Sequence, residues 1–266
     1  MSRLTGICLT AMLMIAVSSP GQTADGLAVG RKMLVEDNPG ELWIGRGERL
    51  YQTKRGPKNA SLEGCDFGLG PGKIVGAATQ LPHYFADTDK VQDLESRLVT
   101  CMVELQGFKA EELTRTAISR PGSDGSDIEA LALFITSKSN GMAMNVALNH
   151  PKEREMYKVG KYLFYRRSGQ TDFACVQCHG ASNKRIRLQD LVNMTDETQL
   201  KEVVSTWPAY RGAHFVVRTM QWRLYDCFWQ MRLPELKYLS DISIALTTYL
   251  HYQGNGAVLN VPGFKR

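Results

Sequence analysis

The sequence predicts a mostly α-helical fold built as two tandem copies of one small-domain plan, the second carrying the chemistry. Three observations predict it. Apolar residues recur at near-helical spacing in segments of both halves. Four landmarks of the second half recur in the same order in the first. The string Cys175-Val176-Gln177-Cys178-His179 occurs only in the second half.

Length and composition bound the answer. The 266 residues suit one large domain or two small ones. Apolar residues at 43% and charged residues at 22% exclude a largely disordered chain. No run of 18 apolar residues follows residue 30, which excludes a multi-spanning membrane protein. A net charge of +5 is too small to indicate nucleic acid, yet it suits an anionic ligand or an acidic partner. Arg3, the apolar stretch Leu4 to Val17 and the break at Ser18-Ser19-Pro20-Gly21 read as a signal peptide over residues 1–24, cut after Ala24. The mature chain then has no membrane span and lies in an oxidising, exported compartment.

The first copy, residues 25–148, opens its landmarks with Gly47-Glu48-Arg49-Leu50-Tyr51. Cys65 follows, then Arg97-Leu98-Val99-Thr100-Cys101, then a helix from Ser126-Asp127-Ile128 to Ser137. Interruptions from Ser139 to Pro151 mark the boundary. The second copy, residues 149–266, begins with a helix over Glu153 to Arg166, where Gly160-Lys161-Tyr162-Leu163-Phe164 matches the first landmark. Cys175 stands where Cys65 does, on a loop entering a short helix. Thr198 to Trp207 reads as a helix stopped by Pro208. Arg223-Leu224-Tyr225-Asp226-Cys227 matches the first copy's arginine–cysteine run, and the reading extends that helix over Val217 to Trp229. Ser240-Asp241 caps a last helix through Tyr252, ended by Gly254-Asn255-Gly256.

Cys-x-x-Cys-His is the attachment pattern of a c-type haem. Two thiols at this spacing add to the two vinyl groups, and the adjoining histidine reaches the iron. A zinc site would need further close-spaced ligands, and a redox dithiol would sit in a βαβ pattern; neither context is present. One motif predicts one covalent haem c, held by Cys175 and Cys178 with His179 as an axial ligand. A helix before the motif and a terminal helix after it give the order of a small cytochrome c domain. The first copy, which reads Cys65-Asp66-Phe67-Gly68-Leu69 at the matching place, is then a degenerate cytochrome c-like domain without haem.

Cys8 leaves with the signal, so Cys65, Cys101 and Cys227 remain. A Cys65–Cys101 disulfide would tie the former haem loop to the former distal segment, stabilising by about 3–4 kcal/mol through the unfolded chain. Two separate buried thiols are the alternative. For the sixth iron ligand, Met194, Met220, Met231, His214 and Cys227 all lie downstream, and spacing does not choose among Met220, Cys227 and Met231. Cys227 is favoured because it lacks a partner and because Cys101 occupies the equivalent place. A thiolate there would lower the potential and could take up sulfur. Arg211, Arg218, Arg223 and Arg232 crowd this stretch. On a helix, Arg223 and Cys227 share a face, so the guanidinium would lower the thiol pKa and grip an oxyanion. Arg218 and Arg232 read as partners of haem propionates or surface carboxylates, Asp226 as solvated or salt-bridged, and Trp222, Tyr225, Phe228 and Trp229 as haem-packing core.

The run Arg223-x-x-x-Cys227-Phe-Trp-Gln-Met-Arg-Leu-Pro-Glu, downstream of Cys175-Val-Gln-Cys178-His179, resembles the SoxA subunit of SoxAX cytochromes. The resemblance spans nearly the whole mature chain. It implies the catalytic subunit of a periplasmic L-cysteine S-thiosulfotransferase, which conjugates thiosulfate to a cysteine of the SoxYZ carrier. It also implies a SoxX monohaem cytochrome c as heterodimer partner and acceptor of two electrons through haem. Carried over, Cys175 and Cys178 hold the haem, His179 and Cys227 ligate its iron, Cys227 bears a catalytic persulfide and Arg223 binds substrate. Cys65 to Leu69 depart from two-haem members and match the single-haem type with a disulfide. A plain electron-transfer cytochrome with methionine on iron, or a haem-based sensor, are the alternatives.

Overall fold

The computed structural model describes residues 36–186 and 189–265, and the signal-peptide reading of residues 1–24 lies outside them. The fold is mostly helical, as expected. Its helices start where side chains satisfy the free N–H groups of the first turn. After α1 (Glu41–Gln52) and a 3-10 turn (Ala77–Gln80), the hairpin β1 (His83–Phe85) and β2 (Lys90–Gln92) leads into α2 (Leu94–Glu104). The Asp93 carboxylate caps α2 by accepting from Ser96 N at 2.9 Å. After α3 (Ala110–Thr116), α4 (Asp127–Ser137) opens on a capping box in which Ser126 and Glu129 satisfy each other's N–H groups. α5 (Pro151–Tyr165) has proline in its first turn, where no N–H is missed.

The second half continues with α6 (Cys175–His179), the hairpin β3 (Lys184–Ile186) and β4 (Gln189–Leu191), and α7 (Glu197–Val204). β5 (Ala209–Arg211) and β6 (Val216–Arg218) precede α8 (Met220–Gln230), and α9 (Asp241–Gln253) precedes β7 (Gly263–Lys265). β5 is the centre of a small sheet, antiparallel to β6 and parallel to β7.

Two boundaries differ from the sequence reading. α7 stops at Val204, because Trp207 is drawn into the core on extended chain that feeds β5. The helix bearing Arg223 starts at Met220 and not Val217. Val216 and Val217 are β-branched and pair with β5, and Thr219 caps α8 by accepting from Trp222 N at 3.3 Å.

Residues 38–266 form one unit, in which the main apolar clusters can be told apart. The first gathers α1, α2 and α4 around Phe67, Leu98, Met102, Leu131 and Phe134. Cys65 and Cys101 are joined there by a disulfide, with Cα atoms 5.7 Å apart. The second gathers α5, α7, α8 and α9 around Phe164, Leu224, Leu246, Tyr249 and Leu250.

The helix pairs α1–α4 and α5–α9 cross at glycine. A Cβ on Gly47 would lie 2.2 Å from Ala130 O and 2.6 Å from Phe134 Cβ. A Cβ on Gly160 would lie 1.9 Å from Ala245 O and 2.8 Å from Tyr249 Cβ. Backbone touches backbone at both crossings, so any side chain forces the helices apart. Gly160→Ala should therefore destabilise by about 1–3 kcal/mol, read from urea unfolding of the haem-loaded protein.

Between the clusters, Glu95 is buried, and its Oε1 accepts from Tyr238 Oη at 2.8 Å and Thr219 Oγ1 at 2.9 Å. Burial, reinforced by Asp93, pushes its carboxyl from 4.5 up to about 8. The folded chain thus holds a proton that the unfolded chain releases, and this group's contribution to stability falls as pH rises from about 4.5 through about 8. Glu95→Gln should remove that fall. By calorimetry, the wild-type Tm should drop several degrees more than the variant's between about pH 5 and about pH 9.

Candidate functional site

A cleft opens between α5, α6, α8, α9 and the β3–β4 hairpin. Its walls are apolar, with Phe164, Leu224, Phe228, Leu246 and Leu250 among them. Cys175, Cys178 and His179 face it from α6. This one-turn helix is held at its start by Gln177, whose Oε1 accepts from Ala174 N at 2.7 Å. His179 Nδ1 donates to Val192 O at 2.8 Å, which fixes the ring and leaves Nε2 as the free ligating nitrogen. Burial lowers the His179 pKa, with Arg223 adding to the effect, so the imidazole is kept in the neutral form that binds metal. Two thiols, an oriented imidazole and a deep apolar cleft fit a covalent haem c.

α8 supplies the opposite wall. Met220, Arg223, Leu224, Cys227 and Met231 recur at three- and four-residue spacing, and all line the cleft. Cys227 lies between the two methionines of this stripe. Cys175, Cys178 and Cys227 all line this cleft, so the three side chains face a common space. Burial raises the thiol pKa of Cys227 and, in the opposite direction, Arg223 lowers it most. Cys175, with burial first and Cys227 next, is pushed up to about 12. Arg223 is anchored by Asp226, which accepts from its Nη1 at 2.7 Å and from Gln230 Nε2 at 2.7 Å.

The structure corrects several side-chain expectations. Arg218 reaches neither a propionate site nor the surface. It is fully buried and pairs with the equally buried Glu129 at 2.7 Å. Arg232 lies over Trp229, 5.7 Å from its ring centroid. Of the four aromatic residues read as haem-packing, only Phe228 lines the cleft. Trp222 is buried beneath Arg218 and His214, while Tyr225 and Trp229 are 37% and 59% exposed. His214 packs on Trp222 away from the cleft wall. Met194 lines the cleft beside the His179 backbone, its N donating to His179 O at 2.7 Å.

Sequence reasoning missed what holds α8 in place. Three residues at its start each engage a buried carboxylate of the first half: Arg218 with Glu129, Thr219 with Glu95 at 2.9 Å, and Gln221 Nε2 with Asp93 at 2.6 Å. In the sequence these acids look like ordinary helix-start residues, and Asp93 is indeed the cap of α2 while Glu129 completes the capping box of α4.

A protein of Hydrogenophilus thermoluteolus named L-cysteine S-thiosulfotransferase subunit SoxA is 46% identical over 238 residues, covering 89% of this chain and 86% of that protein. This chain belongs to the SoxA family. A SoxA subunit of Hydrogenobacter thermophilus is 31% identical over 259 residues, covering 95% of each chain. The family profile "SoxA/TsdA, cytochrome c domain" matches residues 46–144. The crystal structure of SoxXA from P. pantotrophus shares the SoxA fold, with a TM-score of 0.72, 24% identity and coverage of 90% of this chain and 84% of that one. The cofactor of this cytochrome family is haem c. Among the described residues, no helix is long and apolar enough to cross a membrane.

Removing the Arg218 side chain isolates Glu129 in the interior. Arg218→Leu should cost about 3–5 kcal/mol in urea unfolding, and adding Glu129→Leu should recover part of that loss.

Proposed function

We propose that this chain is the catalytic, haem c-bearing subunit of an L-cysteine S-thiosulfotransferase, with Cys227 as the sulfur-carrying residue. The observation that carries the assignment is the α8 stripe. It presents Cys227 to the cleft that holds Cys175, Cys178 and His179, one helical turn beyond an anchored Arg223. The family supports it, since its members are named for this activity.

Cys175 and Cys178 would hold the haem covalently, and His179 and Cys227 would bind its iron. When bound, the haem supplies a redox centre that can take up and pass on electrons. Arg223 draws in thiosulfate, a dianion, and neutralises part of its charge. Asp226 keeps the guanidinium from swinging away. The outer sulfur of thiosulfate joins the Cys227 thiolate, forming one S–S bond, and the two electrons released pass one at a time to the monohaem partner cytochrome, which is reoxidised between them. A carrier thiolate then attacks that outer sulfur. It leaves as the S-thiosulfonate and returns Cys227 as thiolate. A persulfide on Cys227 serves in the same role.

Internal symmetry supports both the ligand assignment and the domain reading. Arg97 and Cys101 sit four and eight residues beyond the cap of α2, and Arg223 and Cys227 sit four and eight beyond the cap of α8. In the first half the helix cysteine bonds directly to Cys65, whereas in the second the cleft separates Cys227 from Cys175. The two glycine crossings repeat the same contacts, alanine carbonyl and aromatic Cβ four residues on. The cytochrome c profile falls on residues 46–144. We therefore read residues 25–148 as a degenerate, haem-free cytochrome c-like domain and residues 149–266 as the haem domain. Partners are a SoxX-like monohaem cytochrome c in a heterodimer and a SoxYZ-like carrier, and the location is periplasmic, reached by the signal peptide.

The test is Cys227→Met in the haem-loaded complex. The variant should retain covalent haem, gain the ferric absorption of a methionine–iron bond and form no conjugate from thiosulfate and carrier. Full turnover by the variant would overturn the assignment to Cys227.

A further inference from the structure

Gln230 stands in the run that follows Cys227, and the chemistry above gives it no task. On α8, Asp226, Cys227 and Gln230 follow Arg223 by three, four and seven residues, so the four side chains share one face. Arg223, Cys227 and Gln230 line the cleft, whereas Asp226 does not. Asp226 Oδ2 accepts from Arg223 Nη1 at 2.7 Å and from Gln230 Nε2 at 2.7 Å. One carboxylate oxygen thus takes a donor from each end of the stripe. The turn that carries Gln230 is held from outside the helix. Thr171 Oγ1 donates to Met231 O at 2.7 Å, and Gln170 N donates to Arg232 O at 3.3 Å.

Asp226 is both needed and unwelcome. It anchors Arg223 from a place where its own side chain is only 16% exposed. A carboxylate pairs with a guanidinium most strongly through two parallel bonds. That arrangement would occupy a whole edge of Arg223 and leave fewer donors for an anion. A freely turning carboxylate beside Cys227 would also repel an incoming dianion. The pair here touches at one point, Nη1 on Oδ2, and among the described residues Arg223 has no other side-chain hydrogen bond. Gln230 takes the same oxygen from the other side. Its amide fixes the carboxylate between two donors, off the cleft wall, and Arg223 keeps the rest of its fork.

We propose that Gln230 is a positioning residue of the thiosulfate site. Through Asp226 it holds the Arg223 guanidinium to a one-point anchor, so that the remaining donors of the fork stay available to the oxyanion. This inference rests on the function proposed above and adds a basis for affinity, since anchor and anion share one guanidinium without competing for it. Glutamine suits the place because it donates to the carboxylate and brings no charge to compete with Arg223.

The test uses the haem-loaded heterodimer with its carrier. Gln230→Leu frees Asp226 to close on Arg223 by two bonds. The KM for thiosulfate should then rise about five- to tenfold, with equilibrium binding by calorimetry weakened to match. The KM for carrier and the ferric haem spectrum should stay at wild-type values. Gln230→Asn keeps the amide but shortens its reach, so it should show the same rise, and it serves as the readout if the Leu variant does not fold. A double-mutant cycle separates this role from helix packing. In an Asp226→Ala background, adding Gln230→Leu should change thiosulfate affinity by less than about twofold. Loss of the full factor in that background would overturn the role of Gln230, as would unchanged affinity in both single variants. Either result with an active wild type leaves the Cys227 reading standing. A wild-type complex that forms no conjugate overturns both.

Discussion

The site depends on a buried ion pair that lies outside the cleft itself. Glu129 caps α4 with one carboxylate oxygen and binds Arg218 with the other, and both side chains are almost wholly excluded from water. Two charges in such a place persist because each satisfies the other and because Ser119 takes further Arg218 donors. Arg218 ends β6, and α8 begins two residues later. The pair therefore sets where the helix of Arg223 and Cys227 starts. Thr219 on Glu95 and Gln221 on Asp93 add two more fixed points, so the start of α8 is held by acids from the first half.

This gives the first half of the chain a physical task. Its own core is filled by side chains: Phe67, fully buried, occupies the stretch that matches the haem motif, and the Cys65–Cys101 disulfide closes the loop onto α2. Arg97, at the place equivalent to Arg223, is turned to structural use. It donates to Asp66 O at 2.6 Å, pairs with Asp87 at 2.7 Å and lies over Phe85 at 4.1 Å. One helix design thus serves two ends. In α2 the arginine and cysteine are locked into packing, and in α8 they face a cleft.

The charge pattern around Cys227 follows from the same framework. A thiol buried in an apolar wall resists ionisation, and Arg223 opposes that tendency. Asp226 holds Arg223 at a single point, Nη1, and leaves the rest of its fork uncommitted. The result suits an incoming dianion, and the partial exposure of Arg223, at 27%, leaves it an approach.

Much of this was legible in the sequence. Cys-x-x-Cys-His specifies its own chemistry because thiol spacing and the adjoining imidazole are set by covalent geometry within five residues. The arginine–cysteine pair on α8 and the caps at Ser126 and Ser240 are likewise local, governed by helical periodicity and by first-turn N–H groups. The start of α8 was misplaced because Val216 and Val217 take their strand from pairing with β5, a contact invisible along the chain. Which aromatic residues would face the cleft, and which arginines would be buried, were decided only in three dimensions. Those outcomes depend on carboxylates more than 80 residues away, and a buried charge is stable only where its distant partner has already been brought into place.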